Sequence, residues 1–97
     1  MTEQFYPWDS AEYLDTEEDV RLYLEACIEE DPGDGSLIRH GLGVIAKARG
    51  ITRLAEETGL TRAGLYKALG PDGNPSFATV VRVAHALGCK LTVAQRV

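Results

Sequence analysis

The sequence predicts an all-α domain, in which five helices follow an acidic N-terminal arm. Three observations predict this fold: apolar residues recur at helical spacing, capping residues precede the apolar runs, and glycine follows them. The 97 residues are 44% hydrophobic and 26% charged, which fits one globular domain with a single core. A multidomain enzyme is therefore excluded.

The first helix is predicted to begin after Thr16, whose hydroxyl can cap free amides ahead of the acids at 17–19. Before it, residues 1–9 are expected to form an irregular arm, followed by a short helical turn from Asp9. Asp19 stands where a capping box has Glu or Gln, so the box is predicted to be imperfect. The helix is expected to end near residues 31–33. The apolar residues of this helix that are predicted to face the core are Val20, Tyr23, Leu24, Cys27 and Ile28.

The second helix is predicted to be capped by the segment 34–36 and to end at Gly50. Gly41 and Gly43 inside it cost about 1 kcal/mol each relative to Ala, which indicates close packing or a late helix start. The residues expected to face inward are Leu37, Ile38, Leu42, Ile45 and Ala46.

Three shorter helices follow, each opened by a capping residue and closed by a glycine. They are predicted over Thr52–Thr58, Thr61–Leu69 and about Ser76–Leu87, with Gly59, Gly70 and Gly88 behind them. The tail from Cys89 to Val97 alternates weakly between apolar and polar residues. It is compatible with a short strand or with a frayed end.

Charge is divided between two parts of the chain, although the net charge is only −5. Residues 1–35 hold twelve acids and the single base Arg21, a net charge of −11. Residues 36–97 hold nine bases and three acids, a net charge of +6. The total argues against a polyanionic partner, but this asymmetry points to two different partners.

The segment 51–70, ITRLAEETGLTRAGLYKALG, has the pattern of a helix-turn-helix. Gly59 and Leu60 alone separate the two short helices, so the helices must cross sharply. Gly59 suits a left-handed turn, and Ala55 is small where the helices would touch. The predicted apolar seam between them is Leu54, Leu60, Leu65, Ala68 and Leu69.

The second helix of this pair leaves one face outward. Arginine and lysine side chains suit guanine edges and phosphates, alanine suits a thymine methyl, and tyrosine suits backbone or base contacts. Amides after Thr52 and Thr61 can receive phosphate oxygens. A merely solvated basic face is the alternative, and the basic half of the chain favours DNA. The face consists of Arg62, Ala63, Tyr66 and Lys67.

The run from Gly43 to Leu91 resembles the Cro/CI-type helix-turn-helix domain of addiction module antidote proteins, the HigA-like antitoxins. The motifs IAKARG, LAEETGLTR, LYKAL, GNPSFATV and ALG, in that order, carry the resemblance. The leader WDSAEYLDTEEDVRLYLEACIEED is also similar, so the likeness covers about nine-tenths of the chain. It implies a lambda-repressor-like bundle with a DNA-binding domain over 36–97. Residues 1–35 are then an acidic arm and helix within the same compact unit.

The resemblance also implies an activity. Such a type II antitoxin binds its own operator as a dimer, represses its operon and neutralises a RelE- or HigB-like mRNA interferase. The helix near 76–87 and the tail are the expected dimer contact. Ala63 and Gly64 are small where base-reading residues are usually polar, so base discrimination is expected to rest on Arg62, Tyr66 and Lys67. The implied DNA contacts are Thr52, Arg53, Thr61, Arg62, Ala63, Tyr66, Lys67 and Asn74.

The acidic leader suits a toxin, because a protein that cleaves ribosome-bound mRNA must present cations to RNA. Aromatic side chains in the leader are anchors of the kind that dominate interface energies. Packing of Trp8 and Tyr13 on the bundle, with solvated acids around them, is the alternative. The expected toxin contacts are Trp8, Asp9, Tyr13 and Leu14.

Other classes of protein fit the sequence less well. His40 and His85 are isolated from any nucleophile or paired carboxylates, so no enzyme is expected. Cys27 and Cys89 lack metal-ligand spacing, so reduced thiols, no metal and no cofactor are predicted. Without a signal-like leader or a span of about 20 apolar residues, a cytoplasmic protein with no membrane contact is expected. A stand-alone repressor and an interaction module without DNA binding remain alternatives.

Overall fold

The computed structural model describes residues 14–95, and these form five α-helices. Strands are absent from these residues, so the predicted all-helical class with five helices is confirmed. No helix within this range combines the length and apolarity that a membrane crossing requires. The expected arm over 1–9 and the turn after Asp9 lie outside the described residues. The helices are α1 (Glu17–Glu30), α2 (Ser36–Arg49), α3 (Ile51–Thr58), α4 (Arg62–Leu69) and α5 (Phe77–Ala86).

α1 begins with a complete capping box. Thr16 Oγ1 accepts a hydrogen bond from Asp19 N at 3.0 Å, and Asp19 Oδ2 accepts one from Thr16 N at 3.2 Å. The expectation of an imperfect box is therefore wrong. The shorter Asp side chain reaches back as Glu would, and it also accepts a bond from Asp15 N.

The hydrophobic core draws side chains from all five helices. The prediction that Ile28 points inward is wrong, because its side chain is 53% exposed. It lies roughly 100° around the helix axis from the midpoint of the buried α1 side chains, beyond the width of their stripe. The core consists of Val20, Tyr23, Cys27, Leu42, Ile45, Ala46, Leu54, Leu65, Leu69, Val83 and Leu87.

α1 packs on α2, and Gly41 lies at this contact. A Cβ atom at Gly41 would stand 2.6 Å from the Sγ atom of Cys27 and 3.5 Å from a ring carbon of Tyr23. Both neighbours are core residues with almost no exposed surface. Of the two explanations for a glycine here, close packing is therefore correct.

A single carboxylate, that of Asp31, organises the connection between α1 and α2. The N-cap of α2 is Gly35, within the segment 34–36 that was predicted to cap the helix, but this residue supplies no side chain. Asp34 Oδ1 accepts a bond from Ser36 N at 2.9 Å. Asp31 instead reaches the first turn of α2 from outside it. Its two oxygens accept bonds of 2.8 to 3.3 Å from the backbone amides of Gly33, Gly35, Leu37 and Ile38.

Replacement of Asp31 by Ala is expected to lower the melting temperature, because it leaves four amides without their acceptor. The matched control is Glu30→Ala, which removes the same charge from the exposed residue next to it. Thermal unfolding followed by circular dichroism compares the two. Equal losses in both variants would show that Asp31 acts only through its charge.

The same carboxylate makes stability depend on pH. Desolvation raises the pKa of Asp31, but hydrogen bonds from the amides of Gly35, Gly33, Ile38 and Leu37 together bring it below its usual value. A carboxylate with a lower pKa in the folded state stabilises the fold above its unfolded pKa, and this contribution is lost as the pH falls. The difference in melting temperature between wild type and Asp31→Ala should therefore shrink below about pH 4.

Gly50 alone connects α2 to α3. Its N–H donates to Ala46 O at 3.0 Å and to Lys47 O at 3.3 Å, while its own carbonyl accepts from Leu54 N at 3.1 Å. Its φ of +98° favours glycine. Thr52 was predicted to open α3, but the helix begins one residue before it, so Thr52 is the second residue of the helix.

α5 is capped as predicted by Ser76, whose Oγ accepts a bond from Thr79 N at 3.1 Å. The helix packs on α3, and Arg49 Nη2 donates to Leu87 O at 3.4 Å, which joins the ends of α2 and α5. Residues 89–95 carry no regular secondary structure. The described part of the tail is therefore not a strand.

Candidate nucleic-acid interface

The turn between α3 and α4 is held by Thr58, a buried polar residue. Its Oγ1 donates to Leu54 O at 2.8 Å and accepts a bond from Leu60 N at 3.3 Å. Gly59 follows in the predicted left-handed conformation, with φ of +77°, and donates its N–H to Ala55 O. Thr58 was missed from the sequence, because a threonine at a helix end usually remains on the surface.

The start of α4 is fixed by the predicted cap. Thr61 Oγ1 accepts a hydrogen bond from Gly64 N at 2.9 Å. A Cβ atom at Gly64 would stand 2.9 Å from the same hydroxyl. Glycine has a low helix propensity, so Gly64 weakens α4. The absence of a Cβ atom at this position, however, leaves room for the Thr61 hydroxyl that caps the helix.

α4 has one buried side and one exposed side. Leu65 and Leu69 are buried against α2 and α3. Within residues 14–95, Arg62 and Lys67 form no ion pair, so both cations are available to a partner. The exposed side carries Arg62, Ala63, Tyr66 and Lys67, the four residues predicted to point outward.

The first turn of α3 places two further predicted residues, Thr52 and Arg53, on the surface. Arg53 Nε lies 3.3 Å from Glu57 Oε2, one helical turn away, so its charge is partly neutralised. No side chain caps this helix. Its first amides are therefore available to another acceptor.

Asn74, the last predicted DNA contact, lies in the connection between α4 and α5 and is exposed. It lines a cavity of about 200 Å³ together with Asp34 and Gly35, at the start of α2. Asn74 therefore lines the same cavity as an acidic residue, whose negative charge opposes a phosphate there.

Of the four expected toxin contacts, only Leu14 lies within the described residues. Its side chain is half-buried and packs against the core. Trp8, Asp9 and Tyr13 lie outside the described residues. Leu14 therefore ties the start of the described chain to the bundle.

The acidic surface of α1 contains one internal cation. Arg21 bridges Glu18 and Glu25, at 2.6 Å and 2.8 Å. The hydrogen bond and the positive charge of Arg21 hold the pKa of Glu18 below its usual value. Glu29 and Glu30, in the last turn, are exposed.

Neither cysteine forms a disulfide, and Cys27 is buried in the core while Cys89 is half-buried. His40 and His85 are exposed. Among the residues from 14 to 95, no three His, Cys, Asp or Glu side chains come together as a metal site would require.

The fold and the exposed face of α4 define a small all-helical protein that presents cations on a rigidly held helix. A family model described as "Probable addiction module antidote protein" matches residues 4–95, and the chain belongs to that family. It is 46% identical over 95 residues to an uncharacterized protein of Haemophilus influenzae, an alignment that covers 98% of this chain and 96% of that relative. No solved structure matches the chain. An antidote of an addiction module has a toxin as its partner.

Proposed function

We propose that this protein is the HigA-like antitoxin of a type II toxin-antitoxin module. It neutralises a RelE- or HigB-like mRNA interferase and represses its own operon by binding operator DNA in the cytoplasm. In this proposal the five helices form a lambda-repressor-like bundle with a Cro/CI-type helix-turn-helix. α3 and α4 are the helix pair, and α4 is the recognition helix.

The observation that carries the DNA-binding proposal is the pair of unpaired cations, Arg62 and Lys67, on the exposed side of α4. The helix that carries them is held at its start by Thr61 and on its other side by the buried Leu65. Phosphate contacts need free cations, and base readout needs a rigidly placed helix.

The proposed contacts contribute unequally to DNA affinity and to sequence discrimination. Arg62, Tyr66 and Lys67 are assigned to base discrimination and to the adjoining phosphates. Arg53 must exchange its contact with Glu57 for a phosphate, so its contribution is smaller. The full set is Thr52, Arg53, Thr61, Arg62, Ala63, Tyr66, Lys67 and Asn74.

We assign toxin binding to residues 1–35 and DNA binding to residues 36–97. The net charge of −11 in the first part suits a cationic toxin. Because Leu14 packs on the core, the contact is centred on Trp8, Asp9 and Tyr13, with Leu14 as its inner edge.

We also propose a homodimer, since a helix-turn-helix protein commonly reads two half-sites about 34 Å apart. α5 and the tail supply the contact. Phe77 is 76% exposed and Val93 is 97% exposed, while Val81 and Leu91 are also exposed. Apolar side chains in these positions gain from burial against a second copy.

Replacement of Arg62 by Ala is expected to weaken operator binding by about 10- to 100-fold, because a base-reading arginine is lost. Lys67→Ala should weaken binding to all sequences and lower the slope of log affinity against log salt by about 0.9. The control is Arg21→Ala, which removes the same charge from an exposed site on α1, outside the proposed DNA and dimer surfaces. Mobility-shift titrations on the upstream DNA at several salt concentrations measure all three.

The same titrations decide between classes of protein. If no specific complex forms at any salt concentration, the protein is an interaction module without DNA binding. If operator affinity is unchanged in both α4 variants, the DNA contact lies elsewhere. Co-purification with the product of the neighbouring gene separates an antitoxin from a stand-alone repressor. The toxin part of the proposal is contradicted if the protein purifies alone and does not relieve the growth arrest that the product of the neighbouring gene causes.

A further inference from the structure

A groove of about 410 Å³ opens between α2 and α4. Its floor is apolar and reaches the core, since Val44, Leu65 and Leu69 line it and Leu65 is completely buried from solvent. A volume of this size is within the range of small-molecule pockets, about 300 to 1,000 Å³. The apolar lining side chains Val44, Ile51 and Tyr66 keep exposed surface, and an apolar group placed here would cover it.

The rim of the groove is cationic. Arg39 and Lys47 line it, whereas no acidic residue within 14–95 does. Neither cation forms an ion pair with any described residue. The Nε atom of Arg39 is buried with no hydrogen-bond partner, and its one bond, from Nη1 to Gly73 O, is long at 3.5 Å. Arg39 and Lys47 therefore give the rim a positive charge that no carboxylate within residues 14–95 neutralises through an ion pair.

We propose that this groove binds a small organic acid, one whose carboxylate meets Arg39 and Lys47 while its ring or alkyl part lies on Val44 and Tyr66. A carboxylate accepts bonds from both a guanidinium and an ammonium group, and these charge-assisted bonds are the stronger kind. The exposed apolar lining at Val44, Ile51 and Tyr66 selects against small hydrophilic anions, because they leave it uncovered.

The groove also adjoins the proposed recognition helix, since Tyr66 lines it and is exposed on the outer side of α4. A bound acid adds negative charge beside Lys47 and α4, and this opposes the approach of phosphates. Acid binding therefore lowers operator affinity. This coupling rests on the proposed function, whereas the groove itself does not.

The test uses the full-length protein and two acids, indole-3-acetate and 4-methylpentanoate, with tryptamine as a cation that carries the indole ring. Titrations followed by amide chemical shifts should saturate with at least one acid, with the largest shifts in residues 43–47 and 65–70. Tryptamine should bind at least about tenfold more weakly, because its charge is reversed. Failure of both acids to saturate, or equal binding of tryptamine, overturns the proposal.

The matched variants are Lys47→Gln and Lys90→Gln, which remove one exposed cation from the rim and from the tail. Lys47→Gln should weaken acid binding by about fivefold, and Lys90→Gln should leave it unchanged. Circular dichroism checks that both variants fold. Equal weakening in the two variants would mean a general charge effect and would overturn the site.

Operator titrations separate this proposal from the previous one. Saturating acid should lower operator affinity about threefold in wild type. If the protein binds no operator, the proposed DNA function is wrong. The chemical-shift titration still shows whether the groove binds an organic acid. If Lys47→Gln weakens operator binding and neither acid binds, the groove is part of the DNA surface and the acid-site proposal is wrong.

Discussion

Replacement of Leu65 by Ala should lower the free energy of unfolding by about 2 to 5 kcal/mol. Leu65 lies in the middle of α4 with 0% of its surface exposed, and it is part of the core that α2 and α3 share with this helix. Truncation removes apolar burial and leaves a cavity that the surrounding helices fill only in part. Urea denaturation followed by circular dichroism measures the loss.

The control for Leu65 is the next residue on the same helix. Tyr66 is 50% exposed, so Tyr66→Ala should change the free energy of unfolding by less than about 1 kcal/mol. A similar loss in both variants would contradict the assignment of the buried and exposed sides of α4. The pair also separates stability from recognition, because Tyr66→Ala should weaken operator binding while it leaves the fold intact.

Replacement of Gly41 by Val should cost about 3 kcal/mol, because the new side chain enters a filled space. The first added carbon alone would stand 2.6 Å from Cys27 Sγ, so α1 and α2 must separate or Cys27 must move. The control is Ala48→Val, at an exposed site on the same helix, for which helix propensity sets a cost below about 0.7 kcal/mol.

A double-mutant cycle tests the mechanism of the Gly41 variant. Cys27→Ala removes the sulfur atom that the new side chain meets, so the double variant should be at least about 1 kcal/mol more stable than the sum of the two single losses. Strict additivity would mean that the cost arises elsewhere in α2. The cycle uses the same urea titration as Leu65→Ala.

Most of the fold was predictable because the relevant signals are local. The capping residues Thr16, Thr61 and Ser76 each accept a hydrogen bond from the third residue that follows, as their sequence context indicates. Gly59 takes the left-handed conformation that a short turn requires. Propensity, capping and the spacing of apolar residues point to the same helices, and for this reason the helix boundaries agree to within about one residue.

The errors arise where a residue acts over a distance that no local pattern encodes. The N-cap of α2 lies in the predicted segment 34–36, but the carboxylate that accepts bonds from Leu37 N and Ile38 N is that of Asp31, six and seven positions upstream. Gly50 closes one helix and opens the next, which moved the start of α3 ahead of Thr52. Ile28 matched the apolar spacing, but whether a neighbouring helix covers it depends on tertiary packing.

The candidate site also contains features that the sequence predicts and features that depend on tertiary structure. The outward direction of Arg62 and Lys67 follows from helical periodicity around the buried Leu65, so the sequence was sufficient for it. The role of Thr58 in the turn and the contact between Arg53 and Glu57 depend on side-chain conformation. Both interactions were therefore found only in the structure.

The single-residue connection at Gly50 has a consequence for how the domain opens. The last bonds of α2 and the first bond of α3 share this residue, so neither helix can fray at that end while the other stays closed. Loss of the turn at Gly50 also disturbs Arg49, whose bond to Leu87 O joins α2 to the end of α5. We therefore expect the amides of α2, α3 and α5 to form one protected unit, whose central amides exchange hydrogen only through an opening close to global unfolding.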